Sequence, residues 1–169
     1  MTERLRTSIA SPIGRVWMII ADGALELLDF EDQDSDRLGA LLKRHYRDGL
    51  PAEGADHSGI ASSVEAYFSG ELAAIDAVAV APKGTIFQQD VWRALRTVPC
   101  GETIVYRELA RRAGRPRAVR AAGAANGQNP VSIVIPCHWV IGSDGTLTGY
   151  GGGLHRKAWL LRHEGARAT

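Results

Sequence analysis

Apolar positions change their period along this chain. Residues 5–10, 15–21 and 24–30 are short runs rich in β-branched and apolar side chains, separated by Ser11-Pro12-Ile13-Gly14 and by Asp22-Gly23. Runs of this length bounded by turn residues predict a three-stranded meander, with Asp22-Gly23 as a two-residue hairpin loop. The acidic stretch 31–36 suits a helix N-terminus, and Leu38, Leu41, Leu42 and His45 follow at helical spacing. Residues 48–58 are rich in Gly, Pro and charge and read as a loop. Ile60, Val64, Tyr67 and Phe68 mark a second helix that Gly70 stops. Residues 76–81 read as a strand or an extended linker, and Pro82-Lys83-Gly84 as a boundary between domains 1–81 and 82–169.

Beyond that boundary the period is helical. Thr85-Ile86-Phe87-Gln88 fits a capping box, and Phe87, Val91 and Leu95 form one stripe that ends before Pro99-Cys100-Gly101. Leu109, Ala110 and Ala113 line a short helix broken by Gly114. Pro116 is placed to restart the chain in a helix first turn, and residues 118–126 are small and helical up to Gly127. Two short helices joined by a Gly-containing turn predict a helix–turn–helix. Residues 131–135 read as a strand, Ser143-Asp144-Gly145 as a hairpin turn, 149–153 as a glycine loop and 154–164 as a final helix.

Composition and charge narrow the classes. Hydrophobic residues make up 45% of the 169, enough for a packed core. No apolar run approaches the roughly 20 residues that span a bilayer, and the polar start lacks a signal-peptide pattern. A soluble, cytoplasmic protein is expected. The net charge of +1 hides a division: residues 1–78 carry −7 and residues 79–169 carry +8. Six arginines (107, 111, 112, 115, 117, 120) fall within one stretch against a single acid, Glu108. On a helix–turn–helix, that concentration is the footprint of a polyanion site.

The candidate chemistry lies in Ile133-Val134-Ile135-Pro136-Cys137-His138. A thiol is a nucleophile only as thiolate and needs a partner that takes its proton. His138 is adjacent, and His163-Glu164 offers further acid–base groups. From these six residues alone, a packed cysteine beside a surface histidine is an equal reading. Cys100, in a Pro-Cys-Gly turn without a base beside it, reads as structural.

The wider pattern resembles the O6-alkylguanine-DNA alkyltransferases. Pro136-Cys137-His138, Val140-Ile141-Gly142 and Thr148-Gly149-Tyr150-Gly151-Gly152-Gly153 are similar to that family's active-site region. Phe87-Gln88-Gln89-Asp90-Val91-Trp92, Val98-Pro99-Cys100-Gly101-Glu102-Thr103, Tyr106-Arg107-Glu108-Leu109-Ala110, Ala118-Val119-Arg120-Ala121-Ala122-Gly123 and Asn129-Pro130 precede it in the family's order. Arg156-Lys157-Ala158-Trp159-Leu160-Leu161 and His163-Glu164-Gly165 follow it. Each motif is weak alone; their joint order over residues 85–165 is specific.

The resemblance implies an α+β chain: an RNase H-like N-terminal domain with an antiparallel sheet, and a winged-helix-like C-terminal domain that houses the thiol. It implies irreversible, stoichiometric transfer of an alkyl group from O6-alkylguanine in double-stranded DNA to Cys137, with O4-alkylthymine and cooperative assembly on DNA left open. His138 takes the thiol proton through a water, Glu164 orients His138, and Tyr106 donates a proton to the departing base. Arg120 fills the gap left by the extruded nucleotide, and Arg117, Ala121, Ala122, Gly123 and Tyr106 complete the DNA-binding set. Asn129, Tyr150, Gly151, Gly152 and Val140 form the guanine pocket. No cofactor, membrane or obligate protein partner is implied, and the protein is expected to be monomeric. A structural zinc, known in some relatives, lacks ligands here: no cysteine precedes Cys100, and only His45 and His57 stand in that half. One departure is Trp139, where the family usually has Arg; an indole cannot supply a guanidinium's charge, so a looser site is expected. Two other classes compete. A helix–turn–helix regulator or non-repairing lesion binder would not need Cys137. A Cys-His hydrolase would turn over and would not need the arginines.

Overall fold

Asp22 and Gly23 both sit at positive φ, 49° and 77°, and fold β2 (Val16–Ala21) back onto β3 (Ala24–Phe30). Two consecutive positive φ values are what a type I′ hairpin loop demands, and an Asp-Gly pair supplies them at low steric cost. On the other side, β1 (Arg4–Ile9) pairs antiparallel with β2, giving the sheet order β1-β2-β3. The computed structural model describes residues 3–33, 35–145, 147 and 149–166. Two units cluster separately, residues 1–83 and 84–169.

In the first unit the central strands are buried on both faces, because successive side chains point opposite ways. Ile19 pairs with Leu27, and with Leu41 they form a cluster covered by Leu38, Leu42 and Tyr46 of α1 (Arg37–His45) and the residue after it. Met18 pairs with Leu28 on the opposite face, and both are fully buried. Helix α2 (Ile60–Phe68) packs on β1 and buries Val64 and Tyr67 completely. Residues 76–81 are neither a free linker nor a full strand. Only Val80 bridges to β3, with Leu25 donating to Ala79 O at 2.8 Å and Ala81 to Leu25 O at 2.9 Å. The unit also holds a buried carboxylate: Glu26 accepts from Arg4 Nε and from the Tyr46 hydroxyl, each at 3.0 Å.

The second unit begins with the capping box. Thr85 Oγ1 accepts from Gln88 N at 3.1 Å, and Gln88 Oε1 accepts from Thr85 N at 2.9 Å, which opens α3 (Ile86–Leu95). Val91 and Leu95 are fully buried, and Trp92 Nε1 donates to Ala125 O of α5 (Val119–Gly127) at 2.8 Å. Helix α4 (Tyr106–Arg112) precedes α5, with Gly114 at φ 78° in the connection. Pro116 does not start α5. Ala118 N donates to Arg115 O at 2.9 Å, so Pro116 and Arg117 form a separate turn and the helix begins at Val119.

Two expectations about strands fail. Residues 131–135 are a turn, with Ile135 N donating to Val131 O at 3.0 Å and Ile133 at φ 72°. Local bonds from the Asn129 side chain override the β-propensity of this apolar run, and full burial holds Ile133 in a backbone region unfavourable for a β-branched residue. Ser143-Asp144-Gly145 is a turn, closed by Gly145 N to Gly142 O at 2.9 Å, and among the described residues no strand follows it as a hairpin partner. The strand before it, β5 (Val140–Ile141), pairs in parallel with β4 (Ile104–Val105). Thr148, in the glycine-loop motif, lies outside the described residues. The last helix is α6 (Leu154–His163). Among the described residues, no helix is long and apolar enough to cross a membrane.

Replacing Thr85 with Ala removes one half of the capping box. A loss of about 1 kcal/mol in urea unfolding is expected, and Gln88→Ala in the same background should cost a further fraction, because Gln88 Oε1 still accepts from the backbone N–H of residue 85.

Candidate active site

Pro136 ends the turn at 131–135, and Cys137, His138 and Trp139 form one 3₁₀ turn. Its bonds are local: Cys137 N to Ile135 O at 2.8 Å and Trp139 N to Pro136 O at 3.0 Å. A 3₁₀ turn projects consecutive side chains about a third of a revolution apart rather than to opposite faces, which lets two neighbours reach one acceptor. All three are buried. Asn126 of α5 donates to the Cys137 carbonyl at 3.3 Å and ties this turn to the helix.

The Glu164 carboxylate, just past α6, receives the turn. His138 Nε2 lies 2.8 Å from Glu164 Oε1, and Trp139 Nε1 donates to the same oxygen at 2.7 Å. A carboxylate only accepts, so Nε2 is the donor in this bond and Nδ1 is the other ring nitrogen. Nδ1 is buried and bonds to no group among the described residues. The Tyr150 ring stands edge-on to His138 at 6.5 Å.

Lys157 of α6 escaped the sequence reading. It is fully buried, and its Nζ donates to Val140 O and, at 3.5 Å, to Gly149 O. Burial pulls its pKa down to about 8, and the charge on Cys137 opposes that shift. By reciprocity, the ammonium favours the thiolate form of Cys137. Its neighbour Arg156, also buried, donates from Nη1 to Gly152 O at 2.9 Å. The pair pins both ends of the glycine loop. The signal available in the sequence was two adjacent cations inside the apolar stripe of a helix.

The remaining candidates fall into place unevenly. Tyr106 opens α4 and packs closely on α5: a Cβ on Gly123 would lie 3.3 Å from its ring, so a larger residue there needs the ring to give by a few tenths of an ångström. A Cβ on Gly149 would lie 3.8 Å from its hydroxyl, so Tyr106 stands between α5 and the glycine loop. Asn129 is fully buried and holds backbone: it donates to Ile135 O at 2.7 Å and accepts from Val131 N at 2.9 Å. It shapes the turn before the thiol. The Val140 side chain is likewise fully buried in β5, whereas Gly151 is exposed and Gly152 buried. Ala122, assigned above to DNA contact, is fully buried. It packs α5 inward, and Ala121 takes the outer position.

The six arginines divide. Glu108 binds Arg111 at 2.5 Å and Arg112 at 2.9 Å, and its carboxyl is held down to about 2 by those side-chain bonds. Asp90 takes Arg115 at 3.2 Å. Arg107, Arg117 and Arg120 are exposed and make no ion pair among the described residues.

The Lys157 shift has a pH signature. With the folded pKa below the ordinary 10.5, the burial penalty is present in full below about 8 and is relieved as pH rises towards 10.5. Relative to Lys157→Met, the native chain should therefore gain stability between pH 8 and 10. Urea midpoints of the two proteins at several pH values measure this; a constant gap means the buried group does not titrate in that window.

Comparison with known proteins identifies the family. The profile of the 6-O-methylguanine DNA methyltransferase DNA-binding domain matches residues 86–166. The methylated-DNA–protein-cysteine methyltransferase of Salmonella typhimurium is 49% identical over 98% of both chains, and that of Haemophilus influenzae is 42% identical over 97% of this chain and 88% of its own. The crystal structure of Mycobacterium tuberculosis O6-methylguanine methyltransferase superposes with a TM-score of 0.80 at 40% identity, over 98% of this chain and 95% of that one. The M. tuberculosis protein in complex with DNA gives 0.79 at 42% identity, covering 96% and 94%. With a thiol, a buried histidine and its carboxylate in one turn-and-helix arrangement, and relatives matching nearly end to end, this chain belongs to the methylated-DNA–protein-cysteine methyltransferase family.

Proposed function

We propose that this protein repairs O6-alkylguanine in duplex DNA by moving the alkyl group, once per molecule, onto Cys137. DNA repair by alkyl transfer is the activity of its family; the residue roles that follow are inferences from chemistry and geometry. The observation that carries them is the buried His138–Glu164 pair, 2.8 Å apart, with His138 in the same turn as Cys137. Cys137 Sγ attacks the carbon attached to O6, a C–S bond forms, and the C–O6 bond breaks. The thiol proton passes to His138 Nδ1 through a water, and Glu164 stabilises the imidazolium. The Tyr106 hydroxyl gives a proton to the base, so guanine leaves neutral and the thioether remains on the protein. A stacked base cannot present O6 to a buried thiol, so the nucleotide must leave the duplex. Arg120 suits the gap because its exposed side chain stands on the helix whose Gly123 lets Tyr106 approach.

The finer parts of this reading are an RNase H-like N-terminal unit, a winged-helix-like C-terminal unit, a cytoplasmic location and a monomer that recognises the alkylated guanine itself. A non-repairing lesion binder is disfavoured by the presence of Cys137 and its buried base.

After incubation with duplex O6-methylguanine, intact-protein and peptide mass spectrometry should find one added methyl, on the peptide containing Cys137, and none in Cys137→Ala. Labelling of Cys100, or more product than protein, would overturn the assignment.

Binding to undamaged duplex should weaken steeply with salt. Arg117→Ala and Arg120→Ala should flatten the slope of log affinity against log salt by about one ion each. Arg111→Ala, whose charge Glu108 already neutralises, should flatten it less. Arg120→Ala should also slow repair in duplex far more than reaction with free O6-benzylguanine; equal losses would remove Arg120 from the extrusion step.

A further inference from the structure

Trp139 is the residue at which this chain departs from its family's usual pattern. A reading from residue types expects it to loosen the site. The geometry points elsewhere. Trp139 Nε1 donates to Glu164 Oε1 at 2.7 Å, and that same oxygen takes His138 Nε2 at 2.8 Å. The Glu164 side chain is only 1% exposed and His138 not at all, so the pair is shielded from water. The two rings meet edge to face, 5.7 Å apart at 65°, which converges two N–H groups from adjacent residues on one acceptor.

We propose that Trp139 is a positioning residue for alkyl transfer: its indole N–H holds Glu164 Oε1 where it fixes the tautomer and direction of His138. This rests on the alkyl-transfer reading above. Two donors on one oxygen leave the carboxylate no free rotation about its last bond. His138 Nε2–H then stays committed to Glu164, and Nδ1 stays available as the proton acceptor. The backbone supports the same geometry, since Trp139 N donates to Pro136 O at 3.0 Å and sets the indole from the turn itself. The indole differs from a guanidinium in bringing a dipole and no net charge. It orients the carboxylate and leaves the negative charge of Glu164 to act on the imidazolium that forms during transfer.

The test separates the donor from the bulk. Single-turnover rates on duplex O6-methylguanine are measured for native protein, Trp139→Phe, Trp139→Arg, Glu164→Gln and the Trp139→Phe/Glu164→Gln double variant. Trp139→Phe keeps an aromatic ring without the N–H. It should lower the rate at saturating DNA about tenfold, the scale of one hydrogen bond to a charged group, with DNA affinity changed less than about twofold. Trp139→Arg, which restores a donor, should recover most of the loss. In the Glu164→Gln background, Trp139→Phe should change the rate less than about twofold, because its effect runs through that carboxylate. An unchanged rate in Trp139→Phe, a loss confined to DNA affinity, or the same fold-loss with and without Glu164 would each overturn the proposal.

A second readout does not need activity. In ¹⁵N-tryptophan-labelled protein, the Trp139 indole N–H resonance should lie downfield, be protected from exchange, and move upfield in Glu164→Gln. An indole resonance indifferent to Glu164→Gln would sink the positioning role even if transfer to Cys137 is normal. Absence of any alkyl on native Cys137 would instead sink the alkyl-transfer reading and leave this bond intact.

Discussion

The turn that carries Cys137 is organised around one carboxylate oxygen. Glu164 Oε1 is buried, and a buried carboxylate is costly unless donors surround it. The chain meets that demand with a histidine and a tryptophan adjacent in sequence, and it can do so only because residues 137–139 turn as a 3₁₀ segment. An extended strand through the same residues would send alternate side chains to opposite faces, and His138 and Trp139 could not share an acceptor. The turn at 131–135 that feeds this segment, held by Asn129, thus helps set this geometry.

Cations in the second unit are allotted by burial. Lys157 and Arg156 lie inside and hold carbonyls of the glycine loop; Arg107, Arg117 and Arg120 lie outside and carry the charge available to a polyanion. Between these groups, Glu108 and Asp90 neutralise Arg111, Arg112 and Arg115. The surface field is therefore narrower than a count of arginines suggests, and it is centred on the turn and the start of α5.

Much of this was legible beforehand. The meander, the Asp22-Gly23 loop, the capping box at Thr85 and the helix pair α4–α5 follow from local rules of spacing and turn chemistry, and the structure has them where those rules put them. What failed was decided by side-chain-to-backbone bonds that a hydrophobic pattern does not encode. The run 131–135 looks like a buried strand, yet Asn129 closes it into a turn. In the site, the types were readable but their partners were not. From the sequence, Lys157 has no role assigned, Ala122 falls among the DNA-contacting residues but is buried, and Trp139 is expected to loosen the site.

The indole of Trp139 has one more consequence. An indole bonded through its N–H to a carboxylate, and standing edge-on to an imidazole in the turn that carries the nucleophile, is a chromophore built into the reaction centre. Its emission responds to the polarity and charge around the ring, both of which change when a thiolate becomes a thioether and the imidazole settles to one protonation state. The other tryptophans, Trp17, Trp92 and Trp159, stand on β2, α3 and α6, outside this turn. Alkyl transfer to Cys137, as proposed above, would then leave its mark on the emission of Trp139.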